Sequence, residues 1–151
     1  MPGWTEALDG RLADLGERRI VRMGLTDAGA LAALLPALTT VATGVARGDR
    51  HRTHRALRDL LERLAATAPL VVWIDDVQWA DPASIDALAA LVRRPPAARV
   101  LFGIGAREGQ VPGALALALA GTSHRRRFPR CSDLLSVGSG AASRAAPSLV
   151  R

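Results

Sequence analysis

The chain has 151 residues, 49% of them hydrophobic and 3% aromatic, with a net charge of +6. That length suits one domain, and the apolar content excludes a chain disordered throughout, although its core must be built mostly from Ala, Leu and Val. All 20 basic residues are arginine, so chemistry that requires a lysine is excluded; the single cysteine, Cys131, excludes an internal disulfide and fits a reducing cytoplasm.

The start of the chain has no charged-then-apolar leader pattern. Instead Trp4, Leu8, Leu12 and Leu15 recur at helical spacing, which predicts an amphipathic helix stopping near Gly24. A second helical region is expected from about Asp27 to Val45, interrupted near Pro36. Within it, residues 28–46 carry no charge, which raises the question of a membrane span; Pro36 and Gly44 favour a buried, interrupted helix. A loop, ARGDR, leads into a third helix over about His51 to Ala66, with Leu57, Leu60, Leu61 and Leu64 on its apolar stripe. Arg55, Arg58 and Arg63 on this helix alternate with Asp59 and Glu62, so it reads as a solvated face rather than a nucleic-acid stripe.

The period then changes. Leu70–Ile74 is continuously apolar, with Val71, Val72 and Ile74 β-branched, as expected of a strand buried on both faces, with Trp73 in or near the core. Asp81 followed by Pro82 marks a helix start, and the helix is expected to run to about Arg93, before RRPPAA. Val100–Ile104 is a second apolar strand, so the three segments predict a parallel, right-handed strand–helix–strand unit. A short Ala/Leu helix ends near Ala120, and the Ser/Arg-rich residues 121–151 show no period and read as a disordered tail. The expected organisation is a partial α/β ATPase-type domain over 1–120 and that tail.

Two aspartates end the first strand. Carboxylates at the C-terminal end of a buried parallel strand sit where ligands bind in open α/β sheets. An apolar run followed by Asp is the Walker B pattern, in which a rigid strand holds a hard oxygen ligand near Mg²⁺ on a nucleotide's phosphates. Asp75 is therefore the candidate metal and cofactor ligand, and Asp76 the candidate catalytic residue, polarising the attacking water. Strand ends also carry Asp simply because they emerge into solvent, and the pair alone leaves that alternative open.

The longer string WIDDVQWADPASIDALAALVRR resembles the Walker B segment of bacterial signal-transduction ATPases with numerous domains (STAND), the AAA-like P-loop modules of large LuxR-type transcriptional regulators. ALAALLPAL and GDRHRTHRALRDLLERLA resemble the helices before that segment, and PPAARVLFGIGAREGQVP the strand after it, so the likeness covers roughly Ala30 to Ala120. Gln78 stands where the family often has His. The resemblance implies ATP and Mg²⁺ as cofactors and makes Arg107 a candidate γ-phosphate sensor, a role that suits a guanidinium at a strand end. Trp79 is expected to pack beneath the loop, and Asp81 to cap the next helix.

A P-loop ATPase also needs a glycine-rich turn and a lysine on the phosphates. No such motif occurs, and GIGAREGQ follows the wrong strand. The expectation is a truncated remnant whose reading frame shifts near Gly121, with little or no ATP binding of its own. The competing expectation is a non-enzymatic interaction module that self-associates or joins a related ATPase domain. A third, DNA binding through the arginines of the tail, has no helix-turn-helix pattern behind it.

Overall fold

Glycine divides the N-terminal helical segment where the sequence pattern predicts one continuous helix. In the computed structural model, which describes residues 4–42 and 49–122, α1 spans Trp4–Leu15 and α2 spans Glu17–Met23. Between them Gly16 adopts φ 74°, a left-handed backbone that glycine enters without steric cost. Trp4, Leu8 and Leu12 face the core from α1 and Ile20 from α2. The Trp4 indole N–H donates to the carbonyl of Ser84, 3.4 Å away, tying the first helix to the fifth.

The second expected helix is largely absent from the described residues. Asp27 caps a four-residue helix, α3 (Ala28–Leu31), by accepting the Ala30 N–H at 3.2 Å. Leu35 is then extended, at φ −131° and ψ 86°, because a residue before proline is pushed out of the helical region. A 3-10 turn over Pro36–Leu38 follows, held to α1 by the Ala37 N–H donating to Asp9 Oδ1 at 2.7 Å. Leu31, Leu35 and Leu38 are fully buried, so the segment serves the core without forming a helix. Among the described residues no helix is long and apolar enough to cross a membrane. Residues 43–48 and 123–151, the second including the whole arginine cluster and Cys131, lie outside the described residues.

The central helix, α4, spans Arg50–Ala65 and buries Leu57, Leu60 and Leu61, each side chain contributing about 1.5–3 kcal/mol by leaving water. Its polar side anchors the neighbouring loops. Arg63 donates to Asp59 and to the carbonyl of Met23 at the end of α2, and Asp59 accepts the Thr26 N–H and hydroxyl. Burial pushes the pKa of Asp59 up, but Arg63 and Thr26 together outweigh it and hold the carboxyl below its ordinary range. Arg52 pairs with Asp27 and lowers its pKa in the same way, joining α4 to the cap of α3.

Strand β1 (Leu70–Ile74) and strand β2 (Val100–Ile104) form a two-stranded parallel sheet, with Leu70 opposite Val100 and Ile74 opposite Ile104. Between them α5 (Pro82–Arg93) crosses over, and a final helix, α6 (Gly113–Ala120), packs on it. Asp81 caps α5 as expected, and Arg94 turns to φ −132° before Pro95 to end it. The mixed α/β class with a parallel sheet and flanking helices is thus as the sequence implied.

One expectation about the sheet fails. Leu70, Val72 and Ile74 point towards the helical core, but Val71 and Trp73 are 61% and 71% exposed, and Leu101 on β2 is 51% exposed. Among the described residues the sheet is covered on one side only, so Trp73 is exposed rather than core. A period of two sends alternate side chains to opposite faces, and the described helices lie against one of them.

Candidate functional site

Both strands end at the same edge of the sheet, and that edge gathers all three site residues expected from the sequence. Asp75 and Asp76 follow Ile74 directly, and Arg107 lies three residues beyond Ile104. The strand register, not chain proximity, brings the two loops together: the Gly105 N–H donates to the Ile74 carbonyl at 2.7 Å, and the Val77 N–H to the Gly105 carbonyl at 3.0 Å.

Asp75 lies exposed over Gly105. A β-carbon at position 105 would come within 2.2 Å of Asp75 Oδ1, so the glycine provides the space this carboxylate occupies. The same oxygen accepts the Asp76 backbone N–H at 3.0 Å. Asp76 has φ 50° and ψ 44°, the only non-glycine residue among those described with positive φ. Aspartate tolerates this region better than most residues, and such a conformation aims its side chain where a regular strand end would not.

The residue that joins the two strand ends is Gln78. Its Nε2 donates to Asp76 Oδ1 at 2.8 Å, and its Oε1 accepts the Arg107 backbone N–H at 3.4 Å, a long contact. Sequence reasoning noticed Gln78 only as a departure from the family pattern. Its position two residues after a strand-end Asp could have signalled a local side-chain bridge, but the link to Arg107 depends on the parallel pairing. Val77, fully buried, begins the 3-10 turn Val77–Trp79 that places the amide.

The Arg107 side chain is exposed and forms no ion pair among the described residues. Trp79 does not pack beneath the loop; it is 74% exposed. Asp81 is a structural cap, its Oδ1 accepting the N–H groups of Ala83 and Ser84, both at 3.0 Å. Among the described residues no group of three or more His, Cys, Asp or Glu could hold a metal ion. The carboxylate pair nevertheless fits one part of a Mg²⁺ shell, since that ion keeps several waters and commonly takes one or two carboxylates together with phosphates. The phosphate side does not fit: no lysine exists anywhere in the sequence, and the nearest described cation at this edge is Arg107.

The fold is a parallel strand–helix–strand unit with adjacent aspartates at the end of its first strand, the place where ligands bind in open α/β sheets. The comparison with known families agrees: the model of the AAA ATPase domain matches residues 1–102, about two thirds of the chain. The chain belongs to the AAA ATPase domain family. The match includes Asp75, Asp76 and Gln78 and ends within β2, before Arg107. No curated protein matches the chain, and no solved structure does.

Proposed function

We propose that this chain is the Walker B-bearing part of an ATP-binding signal-transduction module, of the STAND type found in bacterial LuxR-like transcriptional regulators, acting in the cytoplasm. Residues 1–120 are the ATPase-derived unit and 121–151 an appendage to it. The observation that carries the reading is the Asp75–Asp76 pair at the sheet edge of a chain in the AAA ATPase domain family.

In this reading Asp75 would hold Mg²⁺, directly or through water, and Asp76, whose Oδ1 accepts the Gln78 amide N–H, would polarise a water beside it. Arg107, at the neighbouring strand end, would be the cation available to a terminal phosphate. Bound Mg²⁺ would neutralise charge developing on the phosphates. The protein's own part is limited to these side chains, because the phosphate-cradling turn and its lysine do not occur in the sequence. Those contacts supply much of the electrostatic stabilisation of phosphoryl transfer, so the chain alone is expected to bind ATP weakly and turn it over negligibly.

Calorimetric titration with Mg-ATP tests both halves. Binding weaker than about 1 mM, some 4 kcal/mol, agrees with half a site. Micromolar binding abolished by Asp75→Ala would overturn the expected inactivity while upholding the site. Micromolar binding unaffected by Asp75→Ala and Asp76→Ala would refute the site itself.

A further inference from the structure

The Gln78 side chain touches both strand-end loops, and chemistry fixes how it does so. A carboxylate such as Asp76 only accepts, and a backbone N–H such as that of Arg107 only donates. A side chain between them must donate at one end and accept at the other, which a primary amide does in one orientation and without titrating. The Gln78 Nε2 accordingly donates to Asp76 Oδ1 at 2.8 Å, and its Oε1 accepts the Arg107 N–H at 3.4 Å. Gln78 and Asp76 are half-buried, whereas Arg107 is exposed.

The two ends of this bridge differ in strength. The Asp76 end is short and charge-assisted, and such bonds are roughly twice as strong as neutral ones. The Arg107 end is neutral and near the limit of a hydrogen bond. Arg107 also opens a tight turn: its carbonyl accepts the Gln110 N–H at 3.0 Å, and Gly109 takes φ 75° within it. Gln78 therefore holds this turn by its first residue. The backbone beneath Gln78 does not need the bridge. The Trp79 N–H donates to the Asp76 carbonyl at 3.0 Å, the Ala80 N–H to the Val77 carbonyl at 3.1 Å, and the Val77 N–H to the Gly105 carbonyl at 3.0 Å. With the Val77 side chain buried as well, the Gln78 amide can follow Asp76 while the fold stays fixed.

We propose that Gln78 is a positioning residue that couples the engagement of Asp76 to the position of the Arg107 turn. The proposal rests on the reading of Asp75 and Asp76 as a site for Mg²⁺ and water. The planar amide moves as one piece, so Nε2 and Oε1 shift together. When Asp76 gives its charge to a cation or a polarised water, its hold on Nε2 weakens. A movement of a few tenths of an ångström then takes Oε1 out of reach of the Arg107 N–H. Asp76 bonded to Gln78 holds the turn, and Asp76 engaged elsewhere releases it. A glutamate at position 78 would accept from Arg107 but repel Asp76, and a methionine there would make neither bond.

Amide spectra and hydrogen exchange of the ¹⁵N-labelled full chain test this by a double-mutant cycle read at Arg107. Asp76→Gly tolerates the positive φ and removes the carboxylate, so it should shift the Arg107 amide and speed its exchange about two- to fivefold. Asp76→Asn, which also tolerates this backbone, should do the same to a smaller degree. Gln78→Met should reproduce the Asp76→Gly change. Adding Asp76→Gly to Gln78→Met or to Gln78→Glu should change Arg107 no further, with circular dichroism as in the wild type. Titration with Mg²⁺ alone, at constant ionic strength, should move the Asp75, Asp76 and Arg107 amides with one midpoint in the wild type and spare Arg107 in Gln78→Met. An Arg107 amide that ignores Asp76→Gly, or responds to it equally in the Gln78→Met background, overturns the coupling and leaves Gln78 a static tie. A Mg²⁺ response at the carboxylates with Arg107 silent overturns it as well. No Mg²⁺ response at the carboxylates, with the mutant cycle as expected, refutes the cation reading and upholds the coupling.

Discussion

Replacing Asp81 by alanine isolates the one residue that starts the crossover helix. Pro82 has no N–H, so the first turn of α5 presents the donors of Ala83 and Ser84, and both go to Asp81 Oδ1 at 3.0 Å. The next donor, Ile85, already reaches the Asp81 carbonyl at 3.0 Å. Removing the carboxylate therefore orphans two donors, one of them on Ser84, whose burial keeps water away. Loss of an N-cap costs about 0.5–2 kcal/mol, and two donors with one buried place Asp81→Ala near the upper end, about 1.5–2 kcal/mol. Asp81→Asn keeps an acceptor and should lose only about 0.3–1 kcal/mol, the part due to charge at a helix N-terminus. Urea denaturation followed by circular dichroism measures both. The Ser84 hydroxyl and the N–H groups of Ser84 and Ala83 hold the Asp81 carboxyl below its ordinary 3.8. A folded pKa lowered in this way contributes stability that is complete above about pH 4 and is lost as the pH falls through the folded value. The gap between wild type and Asp81→Ala should accordingly shrink between pH 7 and about pH 2.5. An alanine variant within about 0.3 kcal/mol of wild type at pH 7, or a gap that does not change with pH, would refute the capping argument.

Three further outcomes are expected. Gly16→Ala forces a side chain into positive φ and should cost about 1–2 kcal/mol in the same urea assay, unless α1 and α2 fuse into one helix with a gain in helical signal. Gly105→Ala displaces the Asp75 carboxylate, so the Asp76 amide should lose its acceptor and shift in a ¹H–¹⁵N spectrum, while stability changes by less than about 1 kcal/mol because Asp75 is exposed. Burial lowers the His54 pKa below 6.5, more than the neighbouring Asp86 raises it, so the unfolded chain takes up a proton first. Stability should fall as the pH drops from about 7 to 5, and His54→Gln should flatten that slope in urea midpoints.

The strands and the crossover helix were legible because each has a local physical cause. Short apolar runs bounded by polar or turn residues made Leu70–Ile74 and Val100–Ile104 strands at the expected bounds, and Asp81, Pro82 and Pro95 delimit α5 through capping and lost donors. The Asp75–Asp76 pair was legible for the same reason, since adjacent carboxylates at the end of such a run have few placements. The segment after Asp27 was misread because apolar residues at near-helical spacing look alike in a helix and in a buried irregular chain. There Pro36 and the packing of Leu31, Leu35 and Leu38 against α1 and α4 won over propensity.

By itself the sequence determined that the chain is an α/β unit with two parallel strands, a carboxylate pair at one sheet edge, and no lysine for phosphate. These follow from residue types, period and the absence of an amino acid. Tertiary structure alone decided which face of the sheet is covered, and so put Val71, Trp73 and Leu101 on the surface. It also placed Gly105 beneath Asp75 and joined Asp76 to the Arg107 loop through Gln78. Each of these depends on where a second, distant segment lies. Alternation along a strand states only that two faces exist, and which one meets the core is set by the helices packed against it.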